Sequence, residues 1–211
     1  MMKLPVSIFL FLLLFFSVSA ITVATEPMKE DNTHVRVWNK FMDDSLALHK
    51  KITSGNEIKV KKSIGGYAQN KNFYTEYRYY KDDRLISQVQ WEKDNPQQIH
   101  TIEVYLHDKK GRLVRDYMAA YLPYYHNAPT QTLITFHHYN GDLHAFRSFD
   151  ASGDTTLERC VGKNEKGQSI NMLLDENDFF NEEDDTMETL EYQECFARFK
   201  HNELGKYIIP Q

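Results

Sequence analysis

The chain has 211 residues, of which 41% are hydrophobic and 26% are charged, and its formal net charge at pH 7 is −5. This length and balance are sufficient for a folded domain with a core. The net negative charge argues against a nucleic-acid partner, because affinity for nucleic acid comes from clustered Lys and Arg that neutralise phosphates.

Residues 1–20 have the pattern of a secretory signal peptide. Lys3 gives a short basic start, an apolar run follows, and small residues lead up to Ala20. This order predicts cleavage after Ala20, with cleavage after Ala24 as the second choice. The alternative is a retained anchor helix, which the short apolar run disfavours because a bilayer span needs about 20 residues. Residues 21–211 are therefore expected to form a single exported domain, periplasmic or extracellular, with no stable membrane span.

Apolar residues recur at helical spacing in the first part of the mature chain. On a helix, one side would collect Val35, Trp38, Phe41, Met42, Leu46, His49 and Ile52. This periodicity predicts an amphipathic helix over residues 35–52 that covers a sheet. Asn32 or Thr33 could cap its start, and Gly55 follows its end.

Residues 57–68 predict a strand with a basic edge. The lysines in it are Lys59, Lys61 and Lys62. Lysine on an edge strand discourages pairing with another chain, so we interpret this segment as a solvated sheet edge. The pair Gly65-Gly66 predicts a bulge or bend, since no following helix supports a phosphate-binding loop.

A first hairpin is predicted around Lys81, Asp82 and Asp83. A three-residue loop is favoured, because a two-residue loop would bring Glu and Arg onto the apolar face. That face would contain Phe73, Thr75, Tyr77, Tyr79, Leu85, Val89 and Trp91. The three-residue loop requires a left-handed backbone at Asp83.

A second hairpin is predicted at the turn Asp108-Lys109-Lys110-Gly111, whose glycine suits a type I turn followed by a left-handed residue. The predicted apolar face contains Ile102, Val104, Leu106, Val114, Met118 and Ala120, with Asp116 and His100 as polar exceptions. The opposite face contains Glu103, Tyr105, His107, Arg115, Tyr117 and Tyr121.

A third hairpin is predicted at Asn140-Gly141, which is typical of a type I′ turn. This turn would pair Tyr139 with Asp142 and His137 with His144. The predicted core face contains Thr132, Ile134, Phe136, His138, Leu143, Ala145, Arg147 and Phe149. The other face contains Leu133, Thr135, His137, Tyr139, Asp142, His144, Phe146 and Ser148.

The loop at residues 123–129, between the second and third hairpins, is a candidate binding lip. It has the sequence PYYHNAP, with Tyr124, Tyr125 and His126 between two prolines. Loops held by a rigid scaffold often carry binding residues. A simple connector is the plainer interpretation.

The last part of the chain predicts two more strands and a helix. The strands cover residues 155–161 and 171–174, and the helix covers residues 183–201, with Tyr192, Cys195, Phe196 and Phe199 on its inner side. Cys160 and Cys195 are the only cysteines. In an oxidising compartment they are expected to pair, tying the strand to the helix. The acidic run at residues 175–185 allows a calcium-binding interpretation, but its spacing is not that of an EF-hand, and a solvated loop before a helix is favoured.

Two groups of polar residues suggest metal binding or acid–base catalysis. His137 and His144, as cross-strand neighbours, could share a zinc or copper ion with Asp142 or another carboxylate as a third ligand, although surface histidines are the plainer interpretation. Asp116, predicted on an otherwise apolar face, could serve in acid–base catalysis with His100 or Glu103 as a partner. A structural role for Asp116 is favoured.

Together these patterns predict an α+β fold: an antiparallel meander of six to nine strands packed against an N-terminal and a C-terminal helix. The expected function is that of an exported, non-enzymatic binding module without cofactor or metal, whose partner is an unknown small molecule, glycan or protein. The candidate ligand-binding residues are Tyr124, Tyr125, His126, His137, Tyr139 and His144. The alternatives are a secreted hydrolase with an unassigned acid–base pair and a metal-binding protein.

Overall fold

The computed structural model describes residues 33–66, 71–179, 186–199 and 208–211. The predicted signal peptide, residues 1–20, lies outside the described residues. So do parts of the acidic run and of the predicted C-terminal helix.

Nine antiparallel strands form one sheet in which every strand pairs with the next one along the chain. They are β1 Lys59–Gly65, β2 Tyr74–Lys81, β3 Arg84–Glu92, β4 Ile99–His107, β5 Leu113–Ala120, β6 Gln131–Asn140, β7 Leu143–Phe149, β8 Thr155–Lys163 and β9 Ser169–Asp175. The helices are α1 Thr33–Ile52, α2 Glu176–Phe179 and α3 Leu190–Phe196, with a 3₁₀ turn at Thr186–Glu188. The predicted α+β meander with a helix at each end is confirmed.

The helix α1 lies across β4, β5 and β6 and buries the predicted apolar stripe against them. From the helix, Phe41, Met42 and Leu48 enter the core. From the sheet, the core receives Val89, Ile102, Val104, Tyr117, Ala119 and Ile134. Each large apolar side chain buried in this way contributes roughly 1.5–3 kcal/mol to folding. We call this side of the sheet the covered face.

The helix α3 packs on the same side, against β7. The predicted disulfide is confirmed, and it joins Cys160 of β8 to Cys195 of α3. The helix is shorter than predicted, because it begins at Leu190 rather than near residue 183. The side chain of Thr189 accepts a hydrogen bond from the backbone N–H of Tyr192 and so sets the N-cap.

A buried ion pair lies between the sheet and α3. The Nε of Arg147 donates to Oε1 of Glu158, and the two residues are 4% and 2% exposed. The Tyr192 hydroxyl lies 3.2 Å from Nη2 of Arg147 and donates to Oε1 of Glu158 at 3.3 Å. The Phe199 ring stands 5.3 Å from the guanidinium carbon. Burial raises the pKa of Tyr192 to about 12, so its hydroxyl stays a donor.

The first hairpin has a shorter loop than predicted. Lys81 pairs with Arg84, so the loop is only Asp82-Asp83, and both residues have positive φ, 48° and 59°. This is the backbone of a type I′ turn. The predicted left-handed Asp83 is therefore confirmed, and the three-residue loop is wrong.

Most of the predicted apolar face of this hairpin nevertheless survives, although Leu85 now pairs with Tyr80 and leaves that face. The register shifts between Tyr79 and Tyr80, which pair with Ser87 and Leu85. The resulting bulge adds one residue, and Thr75, Tyr77 and Tyr79 still share a face with Val89 and Trp91.

The third hairpin turns one residue later than predicted. Asn140 pairs with Leu143 and Tyr139 with His144, so the loop is Gly141-Asp142. Positive φ falls on Gly141 (59°), the first central position, as in a type II′ turn. The predicted Tyr139–Asp142 and His137–His144 pairs are wrong. The pairing has moved by two residues in total, so each side chain keeps its predicted face.

The second hairpin has the predicted turn but a different register. The backbone N–H of Gly111 donates to the carbonyl of Asp108 at 2.9 Å, and Gly111 has φ of 80°. A register shift between Leu106 and His107 then changes which β5 residues lie beside β4. Tyr117 is fully buried on the covered face, and the predicted placement of Asp116 on the apolar face is wrong. The same inversion contradicts the predicted faces of Val114, Arg115, Tyr117, Met118 and Ala120, and Tyr121, predicted opposite the apolar face, lies in the core.

Candidate functional site on the open face of the sheet

Neither α1 nor α3 packs against the other side of the sheet, which we call the open face. Its side chains on β4 to β7 are polar and aromatic. They include Glu103, Tyr105, Asp116, His137, Tyr139, His144 and Phe146. Most of these residues are partly exposed, so the surface that they form is accessible to solvent.

Three of these residues form a hydrogen-bonded chain across β5, β6 and β7. The Nε2 of His137 lies 2.6 Å from Oδ2 of Asp116. The Nδ1 of His137 lies 2.9 Å from Nε2 of His144. We call Asp116, His137 and His144 the histidine chain. His137 and His144 are diagonal neighbours, since His137 pairs directly with Phe146 and His144 with Tyr139.

The hydrogen-bond network assigns a tautomer to each neutral imidazole. A carboxylate only accepts, so Nε2 of His137 carries the proton that is donated to Asp116. Nδ1 of His137 is then an acceptor, and Nε2 of His144 must carry the proton between the two rings. The remaining nitrogen, Nδ1 of His144, has a free lone pair. It makes no hydrogen bond to any described residue, and His144 as a whole is partly exposed.

Aromatic stacking holds the end of the chain in place. The Tyr139 ring stacks on the His144 ring at 4.5 Å between centroids, with an angle of 4° between the planes. The guanidinium of Arg112 lies 5.0 Å from the Tyr139 ring centre. Burial, and secondarily His137, lowers the pKa of His144. Nδ1 of His144 is therefore unprotonated at neutral pH.

A second polar group lies beside the histidine chain. The Tyr105 hydroxyl donates to Oε2 of Glu103, and Tyr105 is directly opposite Asp116 on the next strand. Burial raises the pKa of Glu103, and the nearby Asp116 charge raises it further. Burial also raises the pKa of Tyr105, which keeps its hydroxyl a donor.

This polar group extends to the edge of the sheet. Nε2 of Gln88 donates to Oε1 of Glu103 at 3.3 Å, and Nε of Arg78 donates to Oε1 of Gln88 at 2.8 Å. Arg78 is in turn 2.8 Å from Oε1 of Glu76, a buried carboxylate. These contacts run from β4 to β2, so that side chains of the open face hold one another in fixed positions.

The other predicted binding residues lie at the opposite end of the sheet. Tyr124, Tyr125 and His126 follow β5 in the loop that leads to Gln131, whereas His137 lies well along β6. At about 3.3 Å per residue, His137 and Gln131 are about 20 Å apart along the strand. The structure therefore brings His137, Tyr139 and His144 together and leaves Tyr124, Tyr125 and His126 apart from them.

The loop of residues 123–129 is anchored by a buried carboxylate that we did not single out from the sequence. Oε1 of Glu92 accepts a hydrogen bond from the Tyr124 backbone N–H at 3.0 Å and lies 3.2 Å from Nε2 of His126. Tyr124 has a positive φ of 64°, which is strained for a bulky residue. The Tyr124 and Tyr125 side chains remain 44% and 43% exposed.

The suggested metal site is not supported. Among the residues that the structure describes, no group of three or more His, Cys, Asp and Glu is arranged to hold a metal ion. The carboxylate that is hydrogen-bonded to this histidine pair belongs to Asp116, whereas Asp142 lies in the turn between β6 and β7. Both ring nitrogens of His137 are already in hydrogen bonds.

Comparison of the chain with known protein families, with curated proteins and with solved structures finds no match. Over the described ranges, no helix combines the length and the apolar character that crossing a lipid bilayer requires.

Proposed function

We propose that the protein is an exported, non-enzymatic binding module whose ligand docks on the open face at His137, Tyr139 and His144. The observation that supports this most strongly is Nδ1 of His144, which has no hydrogen-bond partner among the described residues. It is a hydrogen-bond acceptor whose position and protonation are fixed by two partners behind it. The ligand, a small molecule, glycan or protein, would present a hydrogen-bond donor to this nitrogen.

The fixed side chains favour binding energetically. Association costs free energy for every side chain that must be ordered, and here stacking and hydrogen bonds have already ordered them. Tyrosine also offers a large contact area with few rotatable bonds, which is why it is enriched at binding hot spots. Tyr139, which stacks on His144 and lies near Arg112, would be the main contact.

Export is supported by the disulfide between Cys160 and Cys195. Disulfides persist in oxidising compartments such as the periplasm or the cell exterior and are rare in the cytosol. The signal-peptide pattern of residues 1–20 agrees with this proposal. N-terminal sequencing of the protein recovered from the expressing cells tests it, and an N-terminus at Ile21 is expected.

The binding site is tested with two matched double variants. The ¹⁵N-labelled mature protein is screened by NMR against glycan and polar metabolite libraries, and each hit is titrated against the variants. Tyr139→Ala with His144→Ala should weaken binding at least tenfold. Tyr124→Ala with Tyr125→Ala, in the distant loop, should leave it within twofold. Retained affinity in the first variant refutes the placement of the site.

A second candidate function is hydrolysis, and it is favoured by the histidine chain itself. A carboxylate that orients an imidazole is the arrangement that supports general-base catalysis, with Nδ1 of His144 as the base. However, the histidine chain does not line the clefts that the structure describes beside Ile52, beside Thr132 and beside Trp91. Hydrolysis of ester and glycoside substrates that is lost in both Asp116→Asn and His144→Gln would establish the enzyme.

A further inference from the structure

We propose that a groove at one corner of the covered face binds an acidic sugar residue of a glycan. The groove has a volume of about 290 Å³. It is lined by Lys62, Thr75, Tyr77, Tyr79, Trp91, Glu92, Lys93 and Pro96. We call it the corner groove. It is separate from the site on the open face, and its test is independent of that site.

The corner groove exists because α1 covers only part of the first strands. The helix packs mainly against β4, β5 and β6 and touches β2 at Tyr79, while the covered face continues beyond it along β2 and β1. Lys62 pairs with Tyr77, and Thr75 pairs with Trp91, so these four side chains share one face. On β1, Val60 and Ile64 of this face are 51% and 55% exposed.

Aromatic rings form much of the groove. Tyr77, Tyr79 and Trp91 are each partly exposed, so their rings are accessible to a ligand. A pyranose ring has an apolar side of C–H groups that packs flat against such rings, while its hydroxyls reach polar groups at the rim. Binding sites for small ligands commonly combine aromatic walls with a few polar groups in this way.

The rings are held rigidly from behind. The Tyr79 ring lies edge-on to His49 of α1, with 4.7 Å between ring centres. The Nδ1 of His49 is 2.9 Å from the Ser87 hydroxyl, which itself donates to a backbone carbonyl of β4 at 2.7 Å. Trp91 packs against the main core. The groove is therefore formed before a ligand arrives, which lowers the entropy cost of binding.

The charges around the groove select an acidic ligand. Lys62 lies over the Tyr77 ring at 5.4 Å, and neither Lys62 nor Lys93 forms an ion pair with any described residue. The carboxylate in the groove, Glu92, already accepts a hydrogen bond from the Tyr124 N–H and contacts His126. Two available ammonium groups beside an aromatic floor suit a sugar that carries a carboxylate.

The size of the groove limits the ligand to about one sugar ring. Its volume of about 290 Å³ is at the lower end of the range for ligand pockets, about 300–1,000 Å³. A longer glycan would place one acidic residue in the groove and extend along the exposed edge strand. An acidic oligosaccharide is thus the occupant that both shape and charge favour.

The test is isothermal titration of the disulfide-bonded mature protein with trimers of galacturonate, mannuronate and N-acetylneuraminate, and with the neutral galactose trimer. We expect saturable binding of at least one acidic trimer and at least tenfold weaker binding of the neutral one. Failure of all three acidic trimers to bind, or equal affinity for the neutral trimer, would overturn the proposal.

Variants then assign the binding to this groove. Lys62→Gln with Lys93→Gln changes only surface charge, so the fold is kept, and it should weaken binding of the acidic trimer at least tenfold. The matched control is Lys59→Gln with Lys61→Gln, which also removes two positive charges but leaves the groove intact. Lys61 lies on the other face of β1, and Lys59 forms a salt bridge with Asp83. Equal losses in both double variants contradict a defined groove. Unchanged binding in Tyr139→Ala separates this site from the open-face site.

Discussion

The two faces of the sheet use charged side chains in opposite ways. On the covered face, Arg147 and Glu158 pair under α3 and are almost completely buried. The second carboxylate oxygen of Glu158 is buried and has no hydrogen-bond partner among the described residues, so no ligand can reach it. On the open face, the pairing of Asp116 and His137 continues to His144, a partly exposed residue whose Nδ1 has no hydrogen-bond partner among the described residues.

This difference distinguishes polar side chains that serve only the fold from polar side chains that can also contact a ligand. A closed pair can only affect the stability and specificity of the fold. A hydrogen-bonded chain with an accessible end can also present a preoriented polar atom to a ligand. We therefore expect substitutions on the covered face to change the free energy of unfolding, and those on the open face to change binding with little effect on folding.

The largest loss of stability is expected when the closed pair is broken. Arg147→Met leaves Glu158 as a buried and uncompensated charge, which should cost about 3–5 kcal/mol in the free energy of unfolding. Urea denaturation followed by circular dichroism measures this change. The matched control is Arg147→Met with Glu158→Leu, which removes both charges and should recover much of the loss. A single variant as stable as the wild type would show that the pair is not buried in solution.

A loss of similar but slightly smaller size is expected from the disulfide. Cys160 and Cys195 are separated by 35 residues, and removing the link from a loop of this length should cost about 3–4 kcal/mol through the entropy of the unfolded chain. Cys160→Ala with Cys195→Ala, compared with the wild type with and without reductant, measures this. The reduced wild type and the double variant should unfold at similar urea concentrations. A double variant as stable as the oxidised protein contradicts the expected contribution.

The covered face should also give a pH dependence. Burial lowers the pKa of His49 from its ordinary value to about 4. Between about pH 6.5 and pH 4 the unfolded state takes up a proton that the folded state resists. His49 therefore leaves stability intact above pH 6.5 and destabilises the fold as pH falls, by about 3 kcal/mol once the pH reaches 4.

The variant His49→Gln isolates this effect from the other histidines. The free energy of unfolding is measured for both proteins between pH 4 and pH 7.5. As pH falls, the free energy of unfolding of the wild type should decrease more than that of the variant, because glutamine does not titrate. A difference that is constant with pH contradicts a buried neutral His49.

The smallest stability change is expected on the open face. Asp116→Asn keeps an acceptor for Nε2 of His137 but removes the charge, and it should cost about 1 kcal/mol. Affinity for a ligand found on the open face should fall more than stability does. A loss of stability as large as that of Arg147→Met would mean that the histidine chain is structural as well.

Local signals predicted most of the fold. The helical spacing from Val35 to Ile52, the glycine at Gly111 and the two cysteines each specify one element through its own chemistry, and all three predictions are confirmed. The apolar face of the third hairpin and, except for Leu85, that of the first were also correct. In each case an error in loop length or position was compensated, either by a bulge or by an even shift in register.

The candidate site was harder to predict, because it depends on an irregularity in the pairing. The register shift beside His107 inverts the faces of β5, and no residue in that segment marks it. As a result, Asp116 was noted as unusual but placed away from His137, its actual partner. Glu92 was missed because a carboxylate at the end of a strand resembles an ordinary surface residue.

The orientation of the histidine chain can be measured directly. A long-range ¹H–¹⁵N NMR spectrum of the side chains at pH 7 shows which nitrogen of each imidazole carries its proton. The account predicts protonated Nε2 and bare Nδ1 in both His137 and His144, with the His144 signal moving when Asp116→Asn is introduced. A proton on Nδ1 of His144 at this pH would contradict the account, because the open face would then present a donor where we infer an acceptor.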